Sequence, residues 1–314
     1  MKRIVESGSG RGDHSRPGVG LALSAGGARG AYQLGCWEAM LEQGIRFGGI
    51  AGSSIGALNA ALIAQGDLDA GQRLWQELAG IGILKPDYRR LRRLGIRLGL
   101  DVGLLLVPVP NFRLLRLVKY IAASMRFFSR HGVLGSLQRY GMVDPRKLEP
   151  ILDRWVDLGG VLDQTAPLFV TAYRMPGLDL PKGRPVWFRL QDYEKGEARR
   201  ILFASMSLPL LFPPVHMEGE FYRDGGMADW APIRPLYEAG LKRIVVVSVK
   251  SSFICSRDDY PDCKILVIKP DRSLGRFPVA TLRFTETAVK KWMELGYADA
   301  SRILSDEKDP FWTQ

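Results

Sequence analysis

Apolar and polar positions divide the chain into short runs that alternate between strand-like and helical spacing. Val19-Gly20-Leu21-Ala22-Leu23 is a compact apolar run, and from Ala31 to Gln43 the apolar residues Tyr32, Leu34, Trp37, Met40 and Leu41 fall at helical intervals. A glycine-rich turn, Ser24 to Gly30, lies between them. The unit then repeats: Arg46 to Ala51 reads as a strand, Gly52-Ser53-Ser54-Ile55-Gly56 as a turn, and Ile55 to Gln65 as an Ala/Leu-rich helix. Strand, turn and helix in immediate succession predict an α/β fold with a parallel sheet covered by helices. Such sheets gather their functional loops at the carboxyl ends of the strands, so both turns should share one edge.

Leu68 to Leu78 is a further helix, polar on one side. After Asp144-Pro145 the pattern predicts a helix from Arg146 to Asp157, strands at Leu168 to Tyr173 and Val186 to Leu190, and a helix from Ala198 to Met206. A proline-stiffened loop, Leu208 to Val215, leads to the turn Arg223-Asp224-Gly225-Gly226 and a helix from Pro232 to Ala239. Strands at Arg243 to Val249 and Ile265 to Ile268 precede a long helix from about Ala280 to Leu304. The expected organisation is a disordered leader over 1–18, a main domain over 19–250, and a C-terminal strand and helix over 251–314 packed on the same domain. Cys36 and the tryptophans Trp37, Trp75, Trp155 and Trp292 are expected in the core.

Charge matters here because of where it sits. Of the net +11, ten charges fall between Tyr88 and Val143, a stretch with eleven Lys/Arg and one acid, Asp101. From Phe112 onward its apolar residues keep helical spacing, while Arg113, Arg116, Lys119, Arg126 and Arg130 repeat on the other face. That is an amphipathic helix with a cationic polar face: either a surface helix docked on the core or an interfacial helix drawn to anionic lipid. Nothing resembles a groove-reading or base-stacking module, so no nucleic-acid partner is expected. No apolar run reaches the roughly 18 residues of a membrane span, and the leader has no apolar stretch of signal-peptide length. Three cysteines without metal spacing fit a reducing compartment, and the expected location is the cytoplasm, with peripheral attachment to the inner membrane face as the sharper reading of the basic segment.

Ser54 lies at the centre of Gly-x-Ser-x-Gly between a strand and a helix, the pattern of a nucleophile elbow. The turn is tight, hence Gly52 and Gly56, and the helix N-terminus behind it favours the alkoxide and the oxyanion that develop during attack on an acyl carbon. A serine needs a base. The three histidines, His14, His131 and His216, do not sit on a late strand-to-helix loop, whereas Asp224 stands in such a turn and could take the proton directly.

Three separated pieces together resemble the patatin-like phospholipase family: Ala25-Gly26-Gly27-Ala28-Arg29-Gly30, the elbow around Ser54, and Asp224-Gly225-Gly226, with the proline-rich block Leu208 to Val215 ahead of the last. The resemblance runs from about Val19 to Val249. It implies a three-layer fold, mainly a parallel sheet with helices on both faces, and a Ser-Asp dyad: Ser54 as acyl nucleophile, Asp224 as base, and Gly26, Gly27, Ala28 and Arg29 around the oxyanion. Ala25 departs from the glycine usual in that loop, and Ile55 from the small residue usual after the nucleophile. The implied activity is hydrolysis of carboxylic esters of lipids, phospholipids among them, with no metal and no cofactor. Two other readings stay open: an idle lipid-binding or regulatory protein on the same scaffold, and a Ser-His-Asp esterase using His216.

Overall fold

A computed structural model describes residues 18–80, 143, 145–175, 183–209, 211–305 and 311. The leader, the basic segment with its cationic helix, His14 and His131 lie outside the described residues. The first two strand-turn-helix units form where the apolar pattern places them: β1 (Val19–Leu23), α1 (Ala31–Glu42), β2 (Phe47–Ser53), α2 (Ile55–Gln65) and α3 (Leu68–Gly80). Later come α4 (Glu149–Trp155), α5 (Leu158–Leu162), β3 (Leu168–Met175), β4 (Arg184–Arg189) and α6 (Lys195–Ser205). The chain continues with β5 (Val215–Met217), β6 (Glu220–Asp224), α7 (Arg234–Glu238), β7 (Arg243–Val247), β8 (Lys264–Ile268) and α8 (Glu286–Leu304).

Three elements differ from the pattern. The helix expected from Arg146 is a 3-10 turn, Pro145–Lys147, followed by α4. The hairpin of β5 and β6 was not legible. The last helix begins at Glu286 and not near Ala280, because Thr285 is extended and its side chain accepts a hydrogen bond from the Ala288 N–H, capping the helix.

Strands β8, β7, β1, β2 and β3 pair in parallel, in that spatial order. Antiparallel β4 lies along β3 from residue 169 to 174 and so occupies one of its edges. The other edge of β3 is shared: β2 pairs with its first half (Ile50↔Leu168 to Ser53↔Thr171), and antiparallel β6 with its second half (Ala172↔Asp224 to Met175↔Phe221). β5 closes the hairpin on β6.

Alternation along β1 sends Leu21 and Leu23 to one face, where they join the large core built from α1, α2, α3, α6 and α8. Ala22 points to the other face, with Ala51, Ile244 and Val246, under Ile233 and Leu236 of the α7 region. Helical cover is therefore lopsided: seven helices, α4 and α5 among them, contribute to the core on one side, and one five-residue helix and the 250–263 loop cover the other, among the described residues. Trp37, Trp75, Trp292 and Cys36 are buried as expected, while Trp155 is half-buried and donates its Nε1–H to Glu77. Among the described residues no helix is long and apolar enough to cross a membrane.

α1 and α8 hold each other through a buried polar contact in which the Tyr32 hydroxyl donates to Asp299 Oδ2 at 2.9 Å. Removing the donor leaves a buried carboxylate oxygen without it. Tyr32→Phe should lower stability by about 1.5 to 3 kcal/mol, the usual worth of a hydrogen bond to a charged group, and urea denaturation will measure it.

Candidate active site

Ser54 and Asp224 are 170 positions apart in the chain, and β3 brings them together. Ser53, the last residue of β2, is level with Thr171, and Asp224, the last residue of β6, is level with Ala172. Two strands arriving from opposite directions thus end at consecutive positions of one template. Ser54 Oγ donates to Asp224 Oδ2 at 2.5 Å. The other carboxylate oxygen accepts from the Gly226 N–H at 2.8 Å, which fixes the side chain in its plane. The end of α6 ties the same two points: Ser205 Oγ accepts from the Ser54 N–H at 2.9 Å, and the Ser207 carbonyl from the Asp224 N–H at 3.2 Å.

The backbone at Ser54 has φ +58° and ψ −127°, a region that side chains rarely adopt and that costs on the order of 1–3 kcal/mol. The sharp turn sets the hydroxyl at the N-terminus of α2. Gly56 is required there by close approach, since a Cβ would stand 2.5 Å from the Leu23 carbonyl oxygen. Asp224 is 4% exposed, and burial pushes its carboxyl up to about 6 against the hydrogen bonds from Ser54 and Gly226, which lower it. A carboxyl so placed titrates close to neutrality.

The glycine-rich loop forms a 3-10 turn, Gly27–Gly30, beside Ser54. Gly27 needs its lack of side chain: φ is +58°, and a Cβ would meet the Thr281 carbonyl oxygen at 2.3 Å. The Ala28 N–H already donates to that carbonyl at 2.8 Å, so it is not free to receive an oxyanion. This departs from the expectation for Ala28. The N–H groups of Gly26 and Gly27, both on the cavity wall, are not engaged by another described group, nor is that of Ile55 at the first position of α2. Arg29 is buried and braces the loop, its Nε donating to the Gly26 carbonyl at 3.2 Å and its guanidinium to Thr281 Oγ1 at 3.1 Å. Desolvation lowers its pKa.

Both departures from the family pattern find room. The methyl group of Ala25 lies against Gly226, and the Ala25 N–H donates to the Trp230 carbonyl at 2.8 Å, so the glycine loop and the Asp224 turn lock together. Ile55 packs over Gly30 and Trp75 while also lining the cavity.

Ser54, Asp224, Gly26, Gly27 and Arg29 face a cavity of about 620 Å³ whose remaining wall is apolar, with Leu58, Leu148, Leu208 and Phe284 among its lining residues. His216 is not on that wall. It stands exposed on β5 with its ring against Phe221 at 4.8 Å, and its carbonyl accepts from Arg200. Among the described residues no group of three or more His, Cys, Asp or Glu is placed to hold a metal ion.

Sequence reasoning missed the polar network beneath the loop. Gln33 Nε2 donates to the Ser24 carbonyl at 2.7 Å, and Asn59 Nδ2 to the Gly30 carbonyl and to Gln33 Oε1, each at 2.9 Å. Trp75 Nε1 donates to Asn59 Oδ1 at 2.9 Å, and Ser24 Oγ accepts from the Val249 N–H at 3.1 Å. Gln33 and Asn59 are fully buried and hold both ends of the glycine loop. The only available signal was two amides standing among apolar positions of α1 and α2.

Comparison with known proteins places these elements in a shared frame. A family model described as Patatin-like phospholipase matches residues 21–237, a span holding the glycine loop, the elbow and Asp224. An uncharacterized NTE family protein of Mycobacterium bovis is 28% identical over 239 residues, which are 76% of this chain and 51% of that protein. Lysophospholipase NTE1 of Cryptococcus neoformans is 29% identical over 244 residues, 78% of this chain and 12% of its own length. The chain thus spans about half the length of the mycobacterial relative and a small part of the fungal one. Of the solved structures, VipD from Legionella pneumophila superposes with a TM-score of 0.46 at 16% identity, covering 90% of this chain and 67% of VipD. With well over half its length inside the matched model, the chain belongs to the patatin-like phospholipase family.

Proposed function

We propose that this chain is a serine lipid acyl hydrolase in which Ser54 is the nucleophile and Asp224 the base. The observation that carries this reading is the 2.5 Å hydrogen bond from Ser54 Oγ to a buried carboxylate on the wall of an apolar cavity. Ser54 Oγ attacks the ester carbonyl carbon as Asp224 Oδ2 takes the hydroxyl proton. The oxyanion is received by the N–H groups of Gly26, Gly27 and Ile55, of which each donor is worth roughly 10²- to 10³-fold in rate. Collapse of the tetrahedral intermediate expels the alcohol, which leaves with the proton from Asp224. Water then attacks the acyl-Ser54 ester, Asp224 takes its proton, and the returning proton frees Ser54 with release of the fatty acid.

Cavity size bears on the substrate. At roughly 30 Å³ for a water-sized group, 620 Å³ holds about 20 such groups, which suits one long acyl chain with its ester. A single-chain or one-chain-at-a-time substrate follows, in keeping with the lysophospholipase named among the relatives.

Ser54→Ala and Asp224→Asn should each cut turnover of a p-nitrophenyl ester by at least about 10³-fold with the fold intact by circular dichroism. Normal hydrolysis by Ser54→Ala would sink the mechanism. Because the base works only when ionised, kcat/KM of the wild type should fall on the acid side with a midpoint near the pKa of about 6 that burial gives Asp224.

The same shift has a sign in stability. The native carboxyl, near 6, holds its proton more tightly than an unfolded one near 3.8, so ionisation disfavours the folded state as pH rises between those values. Asp224→Asn should therefore gain about 2 to 3 kcal/mol over wild type at pH 7, a gain that closes toward pH 4 in denaturant titrations.

A further inference from the structure

The cavity opens beside large apolar side chains that the fold leaves in solvent. Phe277 and Met227 line its wall yet are 70% and 49% exposed, and Val279 is 72% exposed. Side chains that touch a cavity and face solvent stand at its mouth. The 276–279 tip is held by its flanks: Leu274 and Ala280 are buried, the Ala280 N–H donates to the Arg276 carbonyl at 2.9 Å, and Thr281 bonds to Ala28 and Arg29 of the glycine loop. An apolar tip is thus fixed to the site, with nothing described covering it.

Cations surround the tip. Arg272, Arg276 and Arg283 are exposed, and none pairs with a carboxylate among the described residues. Exposed Lys250 lies 3.6 Å from the ring centre of Trp230, itself on the cavity wall. Residues 269–285 hold four basic side chains and one acid, Asp271, which is already paired with Arg302. Apolar side chains projecting among unpaired cations match a bilayer interface, where the tip enters the acyl layer and the cations meet anionic headgroups.

We propose that the 276–279 loop, with Met227 beside it, docks the protein on an anionic lipid bilayer and sets the cavity mouth against the lipid. The function assigned to this surface rests on the lipid-hydrolase reading, but docking itself requires no turnover. Once docked, an acyl chain leaves the bilayer between Phe277 and Met227 and reaches Ser54 without crossing water.

Flotation of the full chain with phosphatidylglycerol or phosphatidylcholine vesicles tests this. The wild type should partition at least about tenfold better into phosphatidylglycerol, Val279→Asp should lose roughly tenfold of its partition, and the double variant Arg276→Gln/Arg283→Gln roughly thirtyfold. Turnover of a short soluble ester by these variants should stay within about twofold of wild type, since none of the three residues lines the cavity. Unchanged flotation of both variants would overturn the proposal and assign any attraction to the basic segment. A concentration-dependent dimer in sedimentation velocity, dispersed by Val279→Asp with flotation intact, would also overturn it by seating a second copy on the tip. Vesicle binding is read without catalysis, so a wild type without ester turnover, or a fully active Ser54→Ala, would sink the hydrolase reading and leave the docking result standing.

Discussion

One edge of β3 sets the positions of everything else at the site. Hydrogen-bond register fixes where β2 and β6 end, at Thr171 and Ala172, and neither strand can extend past the other because they occupy the same edge. Both must turn away at that point. β2 turns through Ser54 into α2, and β6 turns through Asp224 into the Gly225–Met227 turn, which places hydroxyl and carboxylate face to face. Backbone pairing, being cooperative and spaced by covalent geometry, locates the two groups more tightly than side-chain packing alone could.

That geometry carries local costs, and the core offsets them. Ser54 holds a strained backbone, Asp224 is an acid kept from water, and Ser53 Oγ and Thr171 Oγ1 lie buried without hydrogen-bond partners among the described residues. Each is unfavourable by an amount of order a kilocalorie per mole or more. They cluster where the two strands meet. The helices around them are buried almost throughout: every residue of α2 from Ile55 to Ile63 is buried, and α1 is nearly so. Strain of this kind persists only where the surroundings over-determine the conformation, and here the sheet on one side and α2, α3 and α6 on the other do so.

What could be read from the chain was whatever is contiguous. β1 with its glycine loop and β2 with its elbow each compress strand, turn and helix into about twenty to twenty-five residues, so hydrophobic period and turn chemistry agree locally. Asp224 was legible from its glycines, but the hairpin that carries it was not. β5 has three residues, and β6, Glu220-Phe221-Tyr222-Arg223-Asp224, mixes charge and aromatics in a way that no single period describes. The start of α8 was misplaced for a related reason. Leu282 and Phe284 continue a helical apolar pattern, yet they are spent on the cavity, where Phe284 also stacks on Trp75 at 6.0 Å. Gln33 and Asn59 escaped notice because a buried amide is recognised by its partners, and its partners are carbonyls of a distant loop.

In the mechanism proposed above, a carboxylate would serve where a histidine is more usual because its surroundings do two opposed things. Burial raises the Asp224 carboxyl toward 6, making it a stronger base than a free aspartate, while hydrogen bonds from Ser54 and Gly226 keep it ionised enough to act. A fully dry site without those donors would hold the proton permanently, and a wet one would leave too weak a base. The Ser54 hydroxyl is the larger of the two lowering influences, and the Gly226 N–H, donated by the backbone, is the one that stays in place if Ser54 gives up its proton. With Oδ1 anchored, Oδ2 alone faces the serine, so the proposed proton transfer would need no rotation of the carboxylate. The loop that builds this anchor also packs against Ala25, so the Asp224 turn and the glycine loop are joined at this point. Shifting either by an ångström would misplace both, which gives the alanine at position 25 a part in alignment as well as in packing.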